Sequence, residues 1–387
     1  MIDINHLPEN VISEIWCHLK NDKQLIINPE IIKLTSKLSS SLLYCSKFKT
    51  ECLIKCIKEN LSIDIFKNLA FNDHPYMAEK HLPDLSRVLQ EACINGNDKF
   101  IKILLEDNRP HRAKPDIDDS FSLRRSALFG YTECVELLIR DNRPHRVKPN
   151  IFDSFVLRWA AQKGYSRIVK LMLQDNREYR ALPDTLHSWA LREAANNGNT
   201  KCVKYLLEDN REYRAKPDAR MSESLCFACK LGHTDCVRLL LKDNREHRAL
   251  PDDNNNYSIR FASLYGRSDC VRLLLKDNRE HRALPDAMNS YALRRAVEYG
   301  HTECVKLLLE DNRPHKANVE TLFDYSLNHS IEAKHENTVI YVLNFVKNNN
   351  IKLDSIIIKE MLKSAAKINS FEIVNLLFEI KVKSRKN

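Results

Sequence analysis

The sequence predicts an all-α chain built as a repeat solenoid, in which pairs of short helices are joined by long polar loops. Three series in one phase predict it. Only seven glycines occur in 387 residues, and they fall 34 residues apart: Gly96, Gly130, Gly164, Gly198, Gly232, Gly266 and Gly300. The triplet Asp-Asn-Arg keeps that step from Asp107 through Asp141, Asp175, Asp209, Asp243 and Asp277 to Asp311. So do six prolines: Pro115, Pro149, Pro183, Pro217, Pro251 and Pro285. A fixed period of this size marks supersecondary units that bury their apolar faces only by stacking.

Within the unit each boundary has a physical cause. Between Ser290 and Arg313 a short apolar stretch ends at Gly300. A second starts at Thr302, with Val305, Leu308 and Leu309 at helical spacing. Ser120, Ser154, Ser188, Ser222, Asn256 and Ser290 precede the first helix, where a side-chain oxygen is expected to accept from an amide of the first turn. The in-phase glycine suits a left-handed helix end. Thr132, Thr200, Thr234 and Thr302, with Ser166 and Ser268 elsewhere, are expected to cap the second helix. Ala160, Ala194, Ala228, Ala262 and Ala296 are small enough for neighbouring units to approach closely.

Gly232-His233-Thr234-Asp235-Cys236-Val237-Arg238-Leu239-Leu240-Leu241, and Gly300 to Leu309, resemble the Gly-His…Val…Leu-Leu core of ankyrin repeats. The usual Thr-Pro-Leu-His motif is replaced by variants such as Tyr291-Ala292-Leu293-Arg294, and each unit has one extra loop residue. This form is similar to the ankyrin repeats of amoebae and their large DNA viruses. The resemblance covers 82–318 as seven repeats, and weaker echoes at Ala333, Val342, Leu343, Ala365, Ile373 and Leu377 place two degenerate repeats in 319–387. It implies a scaffold that holds a target protein in the groove formed by its loop tips and first helices.

Residues 1–60 lack the period, and 61–81 read as a linker. From Leu7-Pro8 to Leu19, Val11, Ile15, Trp16 and Leu19 share one helical face. With the later stretch from Ile31 to Leu38, which carries Thr35-Ser36-Lys37, this segment resembles an F-box. That resemblance implies an adaptor docking on a Skp-type subunit of a cullin ubiquitin ligase through Leu7, Pro8, Val11, Ile12 and Ile15. The alternative is a helical cap that shields the first repeat.

Hydrophobic residues make up 43% of the chain, enough for a packed core. No run approaches the roughly 18 apolar residues of a membrane span. Asp3, Glu9 and Glu14 are unlike a secretory signal, so a cytoplasmic location with reduced cysteines is expected. Cys134, Cys202, Cys236, Cys270 and Cys304 recur once per unit and read as core packing. Cys226 and Cys229 form an isolated Cys-x-x-Cys, short of the four ligands of a zinc site. His111, His145, His247, His281 and His315 give way to Tyr179 and Tyr213, which favours packing or a hydrogen bond over acid–base work. No catalytic, metal or cofactor site is expected.

The net charge of +9 favours acidic partners. Three arginine rows carry much of it. The first starts at Arg109, the second runs through Arg112, Arg146, Arg180, Arg214, Arg248 and Arg282, and the third through Arg124, Arg158, Arg192, Arg260 and Arg294. They read either as a nucleic-acid stripe or as bonds between repeats. Their recurrence favours the second, so nucleic acid is not the expected partner. Partner contacts are expected where repeats differ: Phe152, Leu186, Arg220 and Met288 at the loop tip, His187 and Met221 beside them, and Phe129, Lys163, Tyr265 and Tyr299 at the end of the first helix.

Overall fold

A computed structural model describes residues 46–71, 82–323 and 325–386, and among them every element is helical. The docking residues read from the sequence at Leu7, Pro8, Val11, Ile12 and Ile15 lie outside the described residues.

The helices come in pairs. The first four are α1 (Ser46–Lys58), α2 (Ile63–Phe71), α3 (Leu85–Ile94) and α4 (Asp98–Leu105). Then follow α5 (Ile117–Leu128), α6 (Thr132–Arg140), α7 (Ile151–Lys163), α8 (Ser166–Gln174), α9 (Thr185–Asn196) and α10 (Thr200–Glu208). Next are α11 (Ala219–Leu231), α12 (Thr234–Lys242), α13 (Asp253–Leu264), α14 (Ser268–Lys276), α15 (Ala287–Glu298) and α16 (Thr302–Leu309). A 3-10 turn, Val319–Leu322, leads to α17 (Ser326–Glu332), α18 (Glu336–Asn348), α19 (Ser355–Lys367) and α20 (Phe371–Lys386).

These elements group into two units, one ending at Ile151 and the other beginning at Phe152. Within each, first helices pack on first helices and second helices on second helices, which gives two layers. The core lies between the layers. In the second unit it takes Leu157, Leu191, Leu225, Ile259 and Leu293 from the first helices and Val169, Val203, Val237, Val271 and Val305 from the second. Ala160, Ala194, Ala228, Ala262 and Ala296 are fully buried, as close stacking requires. The in-phase cysteines are buried and free, and burial pushes the thiols of Cys134, Cys202 and Cys304 up to about 12.

Each regular repeat enters its first helix through a left-handed turn. Leu186, His187 and Ser188 have φ of 50°, 56° and 56°, and the same three positions are left-handed at 118–120, 152–154, 220–222, 254–256 and 288–290. The third residue is buried in every case. Its side-chain oxygen does not cap its own helix, as the sequence suggested; it accepts the amide of a residue 28 positions on, in the following loop. Ser120, Ser154, Ser188 and Ser222 accept from Lys148, Leu182, Lys216 and Leu250, each at 2.8 Å. Asn256 does the same for Leu284 at 2.6 Å and Ser290 for Asn318 at 2.9 Å. The left-handed turn carries this side chain out of line with its own first turn and into the next repeat.

The threonines are corrected likewise. Thr132 and Thr200 donate back to the carbonyls of Gly130 and Gly198 at 3.3 Å, and the N-cap position belongs to the preceding residue. That residue tethers the repeat before it: Asn199 Nδ2 donates to the carbonyls of Ala161 and Gln162 at 2.8 Å, and His301 Nε2 donates to that of Leu264 at 3.0 Å. Gly266 shows why glycine precedes this seat. Its φ is +65°, and a Cβ there would lie 2.6 Å from His301 Nδ1.

The same turn is made without glycine at Asn60, Lys334 and Asn369, with φ of 50°, 62° and 60°. The amides of Leu61, His335 and Ser370 close it onto Cys56, Ser330 and Ala365, as that of His301 closes onto Ala296. Part of the stretch read as a linker, 61–81, is therefore the helix Ile63–Phe71. Phe66 packs against Phe100 at a centroid distance of 4.6 Å, Ala70 accepts from Arg109 Nη2 at 3.1 Å, and Thr50 Oγ1 accepts the Asp84 amide at 2.8 Å. Residues 46–71 thus form a helix pair stacked on the first clear repeat.

Two predictions follow from these bonds. Ser188→Ala removes the acceptor of the half-buried bond from the Lys216 amide, so the urea midpoint should fall by the equivalent of about 1 kcal/mol; Ser188→Asn, the residue used at 256, should cost less. Burial holds His301 below its ordinary value of 6.5, with the nearby charges of His335 and Arg267 acting the same way. The unfolded chain then binds the proton more readily. The neutral His301 supports stability above about pH 6.5, and that support is lost as pH falls from there toward the lower folded value. His301→Asn should keep the carbonyl tether and show a smaller drop in urea midpoint between pH 7.5 and 5.5 than the wild type.

Candidate partner-binding surface

Two side chains position the loop tips. The buried Ser or Asn ties the tip to the following repeat. The arginine of the third row, on the first helix, ties it from within. Arg158 donates to the carbonyls of Asp153 and Phe152, both at 2.9 Å. Arg124 does so to Asp119 and Asp118, Arg192 to His187 and Leu186, and Arg294 to Asn289 and Met288. In one repeat Cys226 holds this seat and reaches the Met221 carbonyl only at 3.7 Å.

The first row is structural in a different way. Arg211 chelates Asp209 through Nε and Nη2 at 2.9 and 3.2 Å, and its Nη1 donates to the Asp175 carbonyl of the preceding repeat at 3.0 Å. Arg143, Arg245, Arg279 and Arg313 repeat both contacts. In the second row Arg112 donates to the Arg109 carbonyl at 3.4 Å. The loop histidines bridge repeats as well: His247, His281 and His315 reach Asp218, Asp252 and Asp286 at 3.0 Å.

With the backbone held by these bonds, the variable side chains face outward. Phe129, Phe152, Leu186, Met221, Tyr265, Met288 and Tyr299 are exposed, and so are Lys163, His187 and Arg220. Phe152, Leu186, Arg220 and Met288 are the first residue of the left-handed turn, His187 and Met221 the second. Phe129 ends a first helix in the unit up to Ile151; Lys163, Tyr265 and Tyr299 end first helices in the other.

The structure adds residues to this surface that sequence reasoning passed over. Aromatic side chains on the open face of the first helices alternate with cations. Trp159 carries Lys163 at 4.8 Å, and Trp189 carries Arg158 at 5.3 Å. Tyr257 stacks on Phe261 at 3.8 Å, and Lys230 lies over both Phe261 and Tyr265. Arg260 and Arg295 sit over Tyr291 at 4.8 and 5.0 Å. The signal was present in the position after the turn serine, which reads Phe121, Phe155, Trp189, Tyr257 and Tyr291, with Glu223 as the exception.

Comparison with known proteins agrees with this architecture. A family described as ankyrin repeats (3 copies) matches in overlapping segments, at residues 123–220, 157–252, 216–284 and 259–356. No curated protein matches the chain. No helix among the described residues is long and apolar enough to cross a membrane.

The first-row contacts predict that Arg211→Lys lowers the urea midpoint by the equivalent of about 2 kcal/mol, since an ammonium cannot chelate Asp209 and reach the preceding repeat together. Binding of a single-stranded oligonucleotide, read by fluorescence anisotropy, should be no different from the wild type.

Proposed function

Because this chain belongs to the ankyrin-repeat family, we propose that it is a protein-binding scaffold, gripping a target with its left-handed loop tips and the open face of its first helices. Ankyrin repeats are protein–protein interaction modules, and a binding role rather than catalysis is the reading they support. The observation that carries it is the division of labour among side chains. Residues that recur in phase, such as Ser188, Arg211 and Arg294, are spent on bonds within and between repeats. Residues that change from repeat to repeat, such as Leu186, Met221, Tyr265 and Tyr299, are large, partly apolar and exposed. Apolar side chains on a rigid frame suit a partner surface.

The finer reading is a substrate-recruiting adaptor, with the segment containing Leu7, Pro8, Val11, Ile12 and Ile15 docking on a Skp-type subunit of a cullin ubiquitin ligase. Its support is the F-box resemblance alone; the helix Ser46–Lys58, inside the same 1–60 segment, stacks on the first clear repeat as the cap alternative expects.

The test is affinity capture with the full chain and three variants. Tyr265→Ser with Tyr299→Ser should lose the target protein and keep the circular-dichroism spectrum and melting of the wild type. Leu7→Ala with Pro8→Ala should keep the target and lose Skp-type and cullin subunits. A target still captured by the tyrosine variant would contradict the scaffold surface. A wild type that captures no ligase subunit would contradict the adaptor reading alone.

A further inference from the structure

We infer that the first-helix face from Lys230 to Tyr299 takes an acidic, extended peptide whose carboxylates fall on about every third residue, with apolar side chains between them. The inference rests on the scaffold reading and names the partner's chemistry.

Three observations carry it. An apolar row ends successive first helices: Leu231, Tyr265 and Tyr299 are 41%, 43% and 55% exposed. Cations flank this row without carboxylate partners. Among the described residues, no acidic side chain lies within ion-pair distance of Lys230, Arg260 or Arg294, whereas Arg192 and Arg220 share Glu223 and Arg295 pairs with Glu298. The Nε atoms of Arg260 and Arg295 are also buried donors with no hydrogen-bond partner. A guanidinium left incompletely satisfied within its own chain favours a carboxylate at the nitrogens it keeps accessible.

The repeat geometry sets the spacing. Arg260 and Arg294 are the same position in adjacent repeats. Packed helices are roughly 8–10 Å apart, and an extended chain advances about 3.3–3.6 Å per residue. One repeat therefore spans close to three peptide residues. Leu231, Tyr265 and Tyr299 advance by the same step and accept the apolar side chains in between.

A nucleic acid fits less well. Its bases need bare ring faces for stacking. Tyr291 is already covered by the guanidinium groups of Arg260 and Arg295, and Phe261 by Tyr257 and the Lys230 ammonium. What this face leaves open is positive charge beside apolar surface.

The experiment measures fluorescence anisotropy of four labelled probes with the full chain. They are a twelve-residue Glu-Tyr-Pro repeat, a Lys-Tyr-Pro repeat, a peptide with the glutamates gathered in one block, and a fifteen-nucleotide oligo-dT. The Glu-Tyr-Pro repeat should bind at least tenfold tighter than the others. Lys230→Glu should weaken it at least tenfold; the substitution keeps the Lys230 carbonyl, which accepts from Arg267 Nε at 3.3 Å, so folding should persist. Arg260→Gln should act in the same direction, with circular dichroism as the check on its turn. Equal binding of the Glu and Lys repeats, or no effect of Lys230→Glu, overturns the inference. Tightest binding by oligo-dT, lost in Lys230→Glu, overturns it in favour of nucleic acid. If Tyr265→Ser with Tyr299→Ser abolishes target capture while the Glu-Tyr-Pro repeat does not bind, the scaffold reading stands and this inference alone fails.

Discussion

The hydrogen bond from a loop amide to the buried Ser or Asn of the preceding repeat is the constraint on which the rest of this architecture depends. It does two things together. It satisfies a half-buried backbone donor of the loop. It sets the register between neighbouring repeats, because donor and acceptor are always 28 residues apart. In the regular repeats the acceptor arrives through a left-handed turn, which places the two preceding residues at the tip, whereas Ser86 accepts the Lys114 amide at 3.0 Å from an ordinary first helical turn.

The turn has an energetic cost. Left-handed backbone costs an L-residue roughly 1–2 kcal/mol, and here three consecutive non-glycine residues adopt it in each regular repeat. The third-row arginines offset part of this. Each is charged and donates to the carbonyls of the turn's first two residues, which its own helix does not satisfy. The buried Ser or Asn offsets more from the other side. Glycine would remove the backbone strain, yet the chain reserves its glycines for the helix–helix turn. There, as at Gly266, positive φ and the approach of the next repeat's side chain act together.

The helix pairs and their period were legible because the in-phase glycines and triplets are covalent facts of the sequence. The burial of Ala194 and Val203 was legible from periodicity. The destination of Ser188 was not: a serine before a helix has a local explanation, and the nonlocal one needs the geometry of two repeats. The helix Ile63–Phe71 was missed for a related reason. Asn60 replaces the glycine that marked every clear repeat, and the step from Asn60 to Gly96 is 36 residues rather than 34. The tip residues were read from their variability, and the structure leaves Phe152, Leu186, Met221 and Met288 exposed. The aromatic and cationic face was missed, because Arg260 and Arg294 were counted as a ladder without the rings beside them.

These bonds also explain how the surface can vary while the frame does not. The first two turn residues contribute backbone carbonyls to the arginine, and the bond from the loop amide to the Ser or Asn does not involve their side chains, although Asp118 Oδ2 also accepts from Gln90 Nε2 of the preceding repeat at 2.7 Å. Asp118, Phe152, Leu186, Arg220, Asn254 and Met288 therefore occupy one position while the turn is kept. The repeat with Cys226 tests the limit of that freedom. There the arginine clamp is reduced to a weak sulfur contact at 3.7 Å, while Ser222 still accepts the Leu250 amide at 2.8 Å and the turn keeps its left-handed form. The bond between repeats thus persists where the clamp within the repeat is weakest. This identifies the buried acceptor as the part the frame requires and the arginine as reinforcement.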